Sequence, residues 1–251
     1  MKFRRGSGIL LHVTSLPGPH GIGSLGPEAF RFVDWLVDAG QRFWEILPIT
    51  PIGYGNSPYS SPSAFAGAPT LLSLERLAEE GFLSPAEIPS GGDFPPDRAS
   101  YPEAIRIKRD AVRTAWSRFQ AEASVRRRKD FSDFSAEHNP WLENYALYRT
   151  LKDHFQGAPW YEWPEEIAFR EPSALAAWRE KLAAEIAEIK FAEFLFFRQW
   201  KKLRATATNG ESRSSAISPS RSATTAPTSG PTAASSSLTR GAGGGPWAGS
   251  R

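Results

Sequence analysis

Residues able to do covalent or metal chemistry are sparse in this chain of 251 residues. It contains no cysteine, which excludes a thiolate nucleophile, a disulfide framework and zinc–thiolate coordination. The histidines, His12, His20, His138 and His154, are scattered without metal-ligand spacing. Acids gather at Trp160-Tyr161-Glu162-Trp163-Pro164-Glu165-Glu166. Neighbouring carboxyls beside aromatic rings permit a glycosidase-like pair, although a capped turn leading into a helix accounts for them more simply. His12 closes an apolar run, where it either faces a site or is satisfied in the core. Arg126-Arg127-Arg128-Lys129 reads as the end of a helix, where cations complement the dipole, and it implies no nucleic-acid partner. The most suggestive stretch is Gly53-Tyr54-Gly55-Asn56-Ser57-Pro58-Tyr59-Ser60-Ser61 with Ser63-Ala64-Phe65-Ala66-Gly67 behind it. Tyrosine rings set among small polar groups suit sugars, because rings stack on apolar C–H faces while hydroxyls find donors and acceptors. The competing reading is a tyrosine-bearing loop packed on its own domain.

These loops need elements to hold them. Gly8 to Val13 reads as a buried strand and Phe43 to Leu47 as a second, stopped by Pro48. Between them a Gly- and Pro-rich loop, Thr14 to Gly26, leads into a helix opened by Pro27. That helix carries Phe30, Val33, Leu36 and Val37 on one face and ends at Ala39-Gly40. Strand, loop, helix and strand in this order fit a βαβ unit with parallel strands. Both long loops then follow strands and lie at the carboxyl edge of the sheet, where α/β folds bind ligands. Further helices are expected over Leu71 to Glu80, Pro102 to Ser124, Pro140 to Phe155 and Pro172 to Arg204.

Composition divides the chain in two, at residues 1–204 and 205–251. In the second part, 42 of 47 residues are Ser, Ala, Thr, Gly, Pro or Arg, too little apolar surface to offset the entropy of ordering, so a disordered tail is expected. The first part carries 26 basic and 26 acidic residues, so the pI of about 9.2 comes from the tail and says little about partners of the folded part. There is no apolar run of membrane-spanning length and no signal peptide, and a cytoplasmic protein without a membrane partner is expected.

Several segments resemble a known family. Arg5-Gly6-Ser7-Gly8-Ile9-Leu10-Leu11-His12-Val13-Thr14-Ser15-Leu16-Pro17, then Gly21-Ile22-Gly23-Ser24-Leu25-Gly26, resemble the start of amylomaltases, the 4-alpha-glucanotransferases of glycoside hydrolase family 77. Trp44-Glu45-Ile46-Leu47-Pro48, the loop Gly53 to Tyr59, and Ser63 to Gly67 match the same pattern. So do Trp141-Leu142, Tyr145-Ala146-Leu147, Gly157-Ala158-Pro159-Trp160, Trp163-Pro164 and Phe197-Arg198-Gln199-Trp200. Ala68 departs from it, since the family usually carries Asn before Pro69.

The resemblance implies an α/β chain, the N-terminal part of a (β/α)8 TIM barrel, with the helix-rich middle as an insertion between the second and third strands. It implies transfer of α-1,4-glucan segments between maltodextrins by a retaining double displacement. An Asp carries the covalent intermediate, a Glu is the acid/base and a second Asp stabilises the transition state. That chemistry requires no cofactor. By the family pattern none of these three carboxylates has a counterpart in this sequence. The residues that match sugar-contacting positions are Ser57 and Tyr59, at the subsites, and Tyr54, at a secondary glucan contact.

After Arg204 the resemblance stops. The family continues with a third strand of the form Gly-Ile-x-Ile-Ile-Gly-Asp-Ile-Pro-Ile and then Asp-Ser-Ala-Asp-Val-Trp. Codons for Glu211 to Ser220, read one nucleotide earlier, permit the first motif, and those for Thr224 to Gly230 permit the second. A frameshift near residues 201 to 210 is therefore expected. The alternative to a transferase is that the polypeptide as written is an inactive fragment, at most a weak glucan-binding remnant.

Overall fold

The computed structural model describes residues 6–95 and 97–208 and the backbone of 216–219. Strand β1 (Gly8–Leu10) is followed by helix α1 (Pro27–Asp38) and strand β2 (Phe43–Ile46). The strands are parallel, with Gly8 opposite Phe43, Ile9 opposite Trp44 and Leu10 opposite Glu45. This is the βαβ unit read from the sequence. Pro27 opens α1, where its missing N–H costs nothing; Ala29, Val33 and Leu36 form the buried stripe, and Gly40 at φ 66° ends it. Trp44 is wholly buried, and its indole N–H donates to the Leu11 carbonyl at 2.7 Å, tying the two strand ends together.

β1 is shorter and less buried than expected. Its residues leave the ladder after Leu10, and Val13–Ser15 form a 3-10 turn that buries Val13 instead. Among the described side chains of β1 and β2, the two faces of the sheet differ. Trp44 and Ile46 point into the core, while Leu10 is 60% exposed and Phe43 is 37% exposed on the other face.

The remainder is helical: α2 (Leu74–Glu79), α3 (Tyr101–Glu122), α4 (Val125–Glu137), α5 (Asn139–His154), α6 (Glu165–Ala168), α7 (Pro172–Lys181) and α8 (Ala183–Thr208). The last expected helix is two. The chain bends at Leu182, with φ −112° and ψ 24°, which lets Leu182 and Ile186 join Leu147, Leu151 and Ile167 in a small second core. The main core is aromatic. Phe191 of α8 lies 4.8 Å from Phe119 of α3, 5.1 Å from Trp116 and 5.9 Å from Phe131 of α4, ring centre to ring centre.

Helix α4 corrects the reading of Arg126-Arg127-Arg128-Lys129. These cations begin a helix, capped by the Ser124 hydroxyl accepting the Arg127 N–H, and their own dipole does not favour them. The compensation is tertiary. Arg127 donates to the carbonyls of Glu80 and Gly81 just past α2, and Arg128 donates to those of Gln120 and Ala123 at the end of α3. The cations do complement helix carboxyl ends, but those of other helices.

The division at 204 falls inside α8, which continues to Thr208 because Leu203 and Ala207 stay on its buried face. Within the expected tail, Ala216–Pro219 form strand β3, parallel to β2, giving the sheet order β1-β2-β3. The rest of the tail, 209–215 and 220–251, lies outside the described residues.

Candidate functional site

The loop after β2 is built from two consecutive 3-10 turns, Tyr54–Asn56 and Pro58–Ser60. Gly55 and Asn56 both adopt positive φ, 68° and 57°, which suits glycine and asparagine. Several bonds close the loop on itself. The Gly53 N–H donates to the Ser57 carbonyl at 3.0 Å, and the Thr50 hydroxyl donates to the Pro58 carbonyl at 3.2 Å. The Ser57 hydroxyl accepts the Tyr59 N–H at 3.2 Å, so two of the expected sugar-contacting residues are held side by side. Gly53 is obligatory on contact grounds too, since a Cβ there would stand 1.9 Å from the Ser60 carbonyl oxygen.

The tyrosines do not pack into the domain. Tyr54 is 96% exposed and Tyr59 61% exposed. Among the described residues both rings are presented on a short, internally bonded loop, an arrangement that supplies stacking surface at low entropic cost.

The next segment is anchored from α8. Glu193, wholly buried, accepts the Gly67 N–H at 2.8 Å. Gln199 accepts the Ser73 N–H at 2.8 Å and donates to the Ser73 carbonyl at 3.0 Å. Two side chains six positions apart on one helix thus satisfy the backbone of a segment more than a hundred residues earlier. Gly67 lies directly against Phe196, whose ring a Cβ would meet at 1.9 Å. Burial pushes the Glu193 carboxyl up to about 8, with the Gly67 N–H pulling the other way, so near neutral pH it is mostly the neutral acid. Sequence reading missed Glu193 as an anchor. The available signal was a carboxylate inside the apolar run Phe191 to Phe197.

The other candidates separate. Glu162, Glu165 and Glu166 are all exposed, while Trp163 between them is buried with its indole N–H on the Ala158 carbonyl at 3.0 Å. They form the turn into α6. His12 is half-buried, its Nδ1 has no hydrogen-bond partner among the described residues, and burial lowers its pKa to about 4. It is therefore neutral at pH 7. His20 is buried, with Nε2 3.2 Å from the Pro89 carbonyl oxygen and Nδ1 3.7 Å from Glu75. Ala68, the departure from the family pattern, is buried and keeps its backbone bond to the Ile49 carbonyl at 2.9 Å. Among the described residues no group of three or more His, Cys, Asp or Glu is placed to hold a metal, and no helix is long and apolar enough to cross a membrane.

Known proteins resemble this chain over a stretch that includes the tyrosine loop. The family described as 4-alpha-glucanotransferase, glycoside hydrolase family 77, matches residues 11–213. The chain belongs to glycoside hydrolase family 77. A 4-alpha-glucanotransferase of Synechocystis is 44% identical over 204 residues, which is 81% of this chain and 40% of that protein. The Thermus thermophilus 4-alpha-glucanotransferase is 44% identical over 207 residues, 82% of this chain and 41% of that protein. Among solved structures, the amylomaltase from Streptococcus agalactiae in complex with acarbose superposes with a TM-score of 0.79 at 36% identity, covering 86% of this chain and 43% of that one. The chain thus spans about two fifths of the length of the family 77 relatives it matches.

Proposed function

We propose that these residues form the opening βαβ unit and helical insertion of a (β/α)8 barrel that transfers α-1,4-glucan segments between maltodextrins. The observation that carries this reading is the family match over residues 11–213, within which the tyrosine loop lies at the carboxyl end of β2. In this reading Tyr59 lies against the reacting sugars, with Ser57 exchanging a hydrogen bond beside it. Tyr54, the more exposed ring, meets a glucan away from the scissile bond.

The division of labour follows from which residues are present. Residues 1–251 offer sugar-contacting groups, whereas the nucleophile, acid/base and stabilising carboxylate of the double displacement have no assigned counterpart among them. The 251-residue chain is accordingly expected not to disproportionate maltotriose, because without the nucleophile there is no covalent route. Glucose release with growth of longer maltodextrins would refute that. The loop assignment is tested separately by titrating maltoheptaose into the chain and following binding by calorimetry. Weak saturable binding is expected, lost in Tyr59→Ala and reduced in Tyr54→Ala with the circular dichroism unchanged. In a protein carrying the complete barrel, Tyr59→Ala is expected to lower transfer by about 10- to 100-fold through loss of positioning. Tyr54→Ala is expected chiefly to alter product size. Full transfer without the Tyr59 ring would remove that residue from the site.

A further inference from the structure

The loop that carries the tyrosines presents a third ring. The Ala68 N–H donates to the Ile49 carbonyl at 2.9 Å, so the chain between residues 49 and 68 leaves the fold and returns to it at one point. Tyr54 and Tyr59 occupy the first half of this closed loop and Phe65 the second. Phe65 is a bare hydrocarbon ring, yet it is 48% exposed. The turn around it accounts for its position. The Ser63 hydroxyl accepts the N–H groups of Phe65 and Ala66, at 3.2 and 3.1 Å, and Ala66, Gly67 and Ala68 are buried. The backbone is drawn inward while the ring stays outside.

Phe65 is backed from a distant part of the chain. Its ring stacks on Trp141 in the first turn of α5, with 6.3 Å between ring centres and 22° between planes. Trp141 is half-buried and packs against the main core, 6.2 Å from Tyr145 and 6.1 Å from Phe197. Its indole N–H makes no hydrogen bond among the described residues, and it is not sealed from solvent. The indoles of Trp44 and Trp163 differ, since they donate to the carbonyls of Leu11 and Ala158. An anchored ring stack with a free donor at its edge combines an apolar face and a polar handle in one rigid patch.

We propose that Phe65 and Trp141 form a further subsite for an α-glucan chain, with the Phe65 ring stacked on the apolar face of one sugar residue and the Trp141 N–H donating to an oxygen of that chain. A saccharide meets both demands, because it carries C–H faces and acceptor oxygens on one body. A hydrocarbon ligand would leave the indole N–H unmatched. The inference rests on the glucan reading of the tyrosine loop and extends it. Phe65 stands six residues after Tyr59, so their Cα atoms are at most about 20 Å apart. A chain long enough to bridge the two rings makes its second contact intramolecularly, and a short one reaches a single ring. Phe65 is thus a residue through which affinity rises with the length of the glucan.

The test uses the full 251-residue chain with maltotriose and maltoheptaose. Calorimetry is expected to show maltoheptaose bound about tenfold more tightly than maltotriose. In Phe65→Ala that preference is expected to fall to about twofold or less with maltotriose unaffected, because the bridging contact is gone. Trp141→Phe keeps a ring behind Phe65 and removes the N–H, and it is expected to weaken maltoheptaose by about three- to tenfold. A measurement on the unsubstituted chain guards against a misfolded variant. With indole nitrogens labelled, maltoheptaose is expected to move the Trp141 signal, identified by its loss in Trp141→Phe, and to leave that of Trp163 in place. An unaltered length preference in Phe65→Ala, or a Trp141 signal that maltoheptaose does not move, overturns the proposal. If Tyr59→Ala abolishes binding in the same experiments, the glucan reading of the tyrosine loop stands without this subsite. Maltoheptaose that does not bind at all removes both.

Discussion

Glu193 shows how much one buried carboxyl decides. It holds the Gly67 N–H, yet burial raises its pKa from an ordinary 4.5 to about 8. Between those values the folded state binds the proton more tightly than the unfolded chain, so stability falls as pH rises from about 4.5 to about 8. Glu193→Gln keeps the acceptor for Gly67 and cannot ionise. Relative to the parent chain, its stability is expected to improve by on the order of 1–3 kcal/mol between pH 5 and pH 8, read by urea unfolding at each pH. A pH-independent difference would show that Glu193 is not protonated in the fold. Its neighbour sets a steric limit. A Cβ on Gly67 meets the Phe196 ring at 1.9 Å, so Gly67→Ala is expected to cost about 1–3 kcal/mol in thermal or urea unfolding. Adding Phe196→Leu is expected to recover part of that loss, because the obstacle is the ring and not the backbone angle.

At the scale of elements, α8 is the organiser. It contributes Phe191 and Phe194 to the aromatic core, and Glu193 and Gln199 to the segment behind the tyrosine loop. Gln199 alone satisfies both backbone groups of Ser73, all of it buried. Gln199→Ala leaves an N–H and a carbonyl without partners and is expected to cost about 2–4 kcal/mol. Hydrogen exchange locates the effect: the Ser73 amide is expected to lose protection well beyond the global change, whereas Trp44 on β2 follows the global change only. Uniform loss across both would make Gln199 a packing residue without a local role. The ordering of α4 rests on similar tertiary satisfaction, since Arg127 and Arg128 cap α2 and α3 rather than their own helix.

For the whole molecule, the decisive feature is a parallel sheet on which, among the described residues, one face carries exposed apolar side chains. Parallel sheets are stable when both faces are covered, and here Leu10 and Phe43 stand 60% and 37% exposed. Barrel closure, as proposed, covers that face with the side chains of further strands. The isolated chain is expected to bind a hydrophobic dye and to associate with rising concentration in sedimentation velocity, and Leu10→Lys is expected to reduce both. A sharp monomer with no dye binding would contradict an uncovered sheet face. The helical part carries its own two cores and is expected to supply most of the unfolding signal by circular dichroism.

The βαβ unit was legible from sequence because each step has a local cause: Pro27 opens the helix, Val33 and Leu36 repeat at helical spacing, and Pro48 ends the strand. The tyrosine loop was legible as a candidate because its residue types announce stacking and hydrogen bonding, and the family because its motifs recur in order. Other features depended on partners distant in the chain. Whether Tyr54 and Tyr59 are packed or presented is set by what surrounds the loop, which no local pattern records. The start of α4 was missed because its cations are satisfied by carbonyls of other helices. Glu193 and Gln199 are ordinary helix residues until folding brings Gly67 and Ser73 against them. Sequence determines what each segment is able to form; burial and the partners it supplies are properties of the packed whole, and only the tertiary structure decides which polar groups are satisfied, shifted or left free.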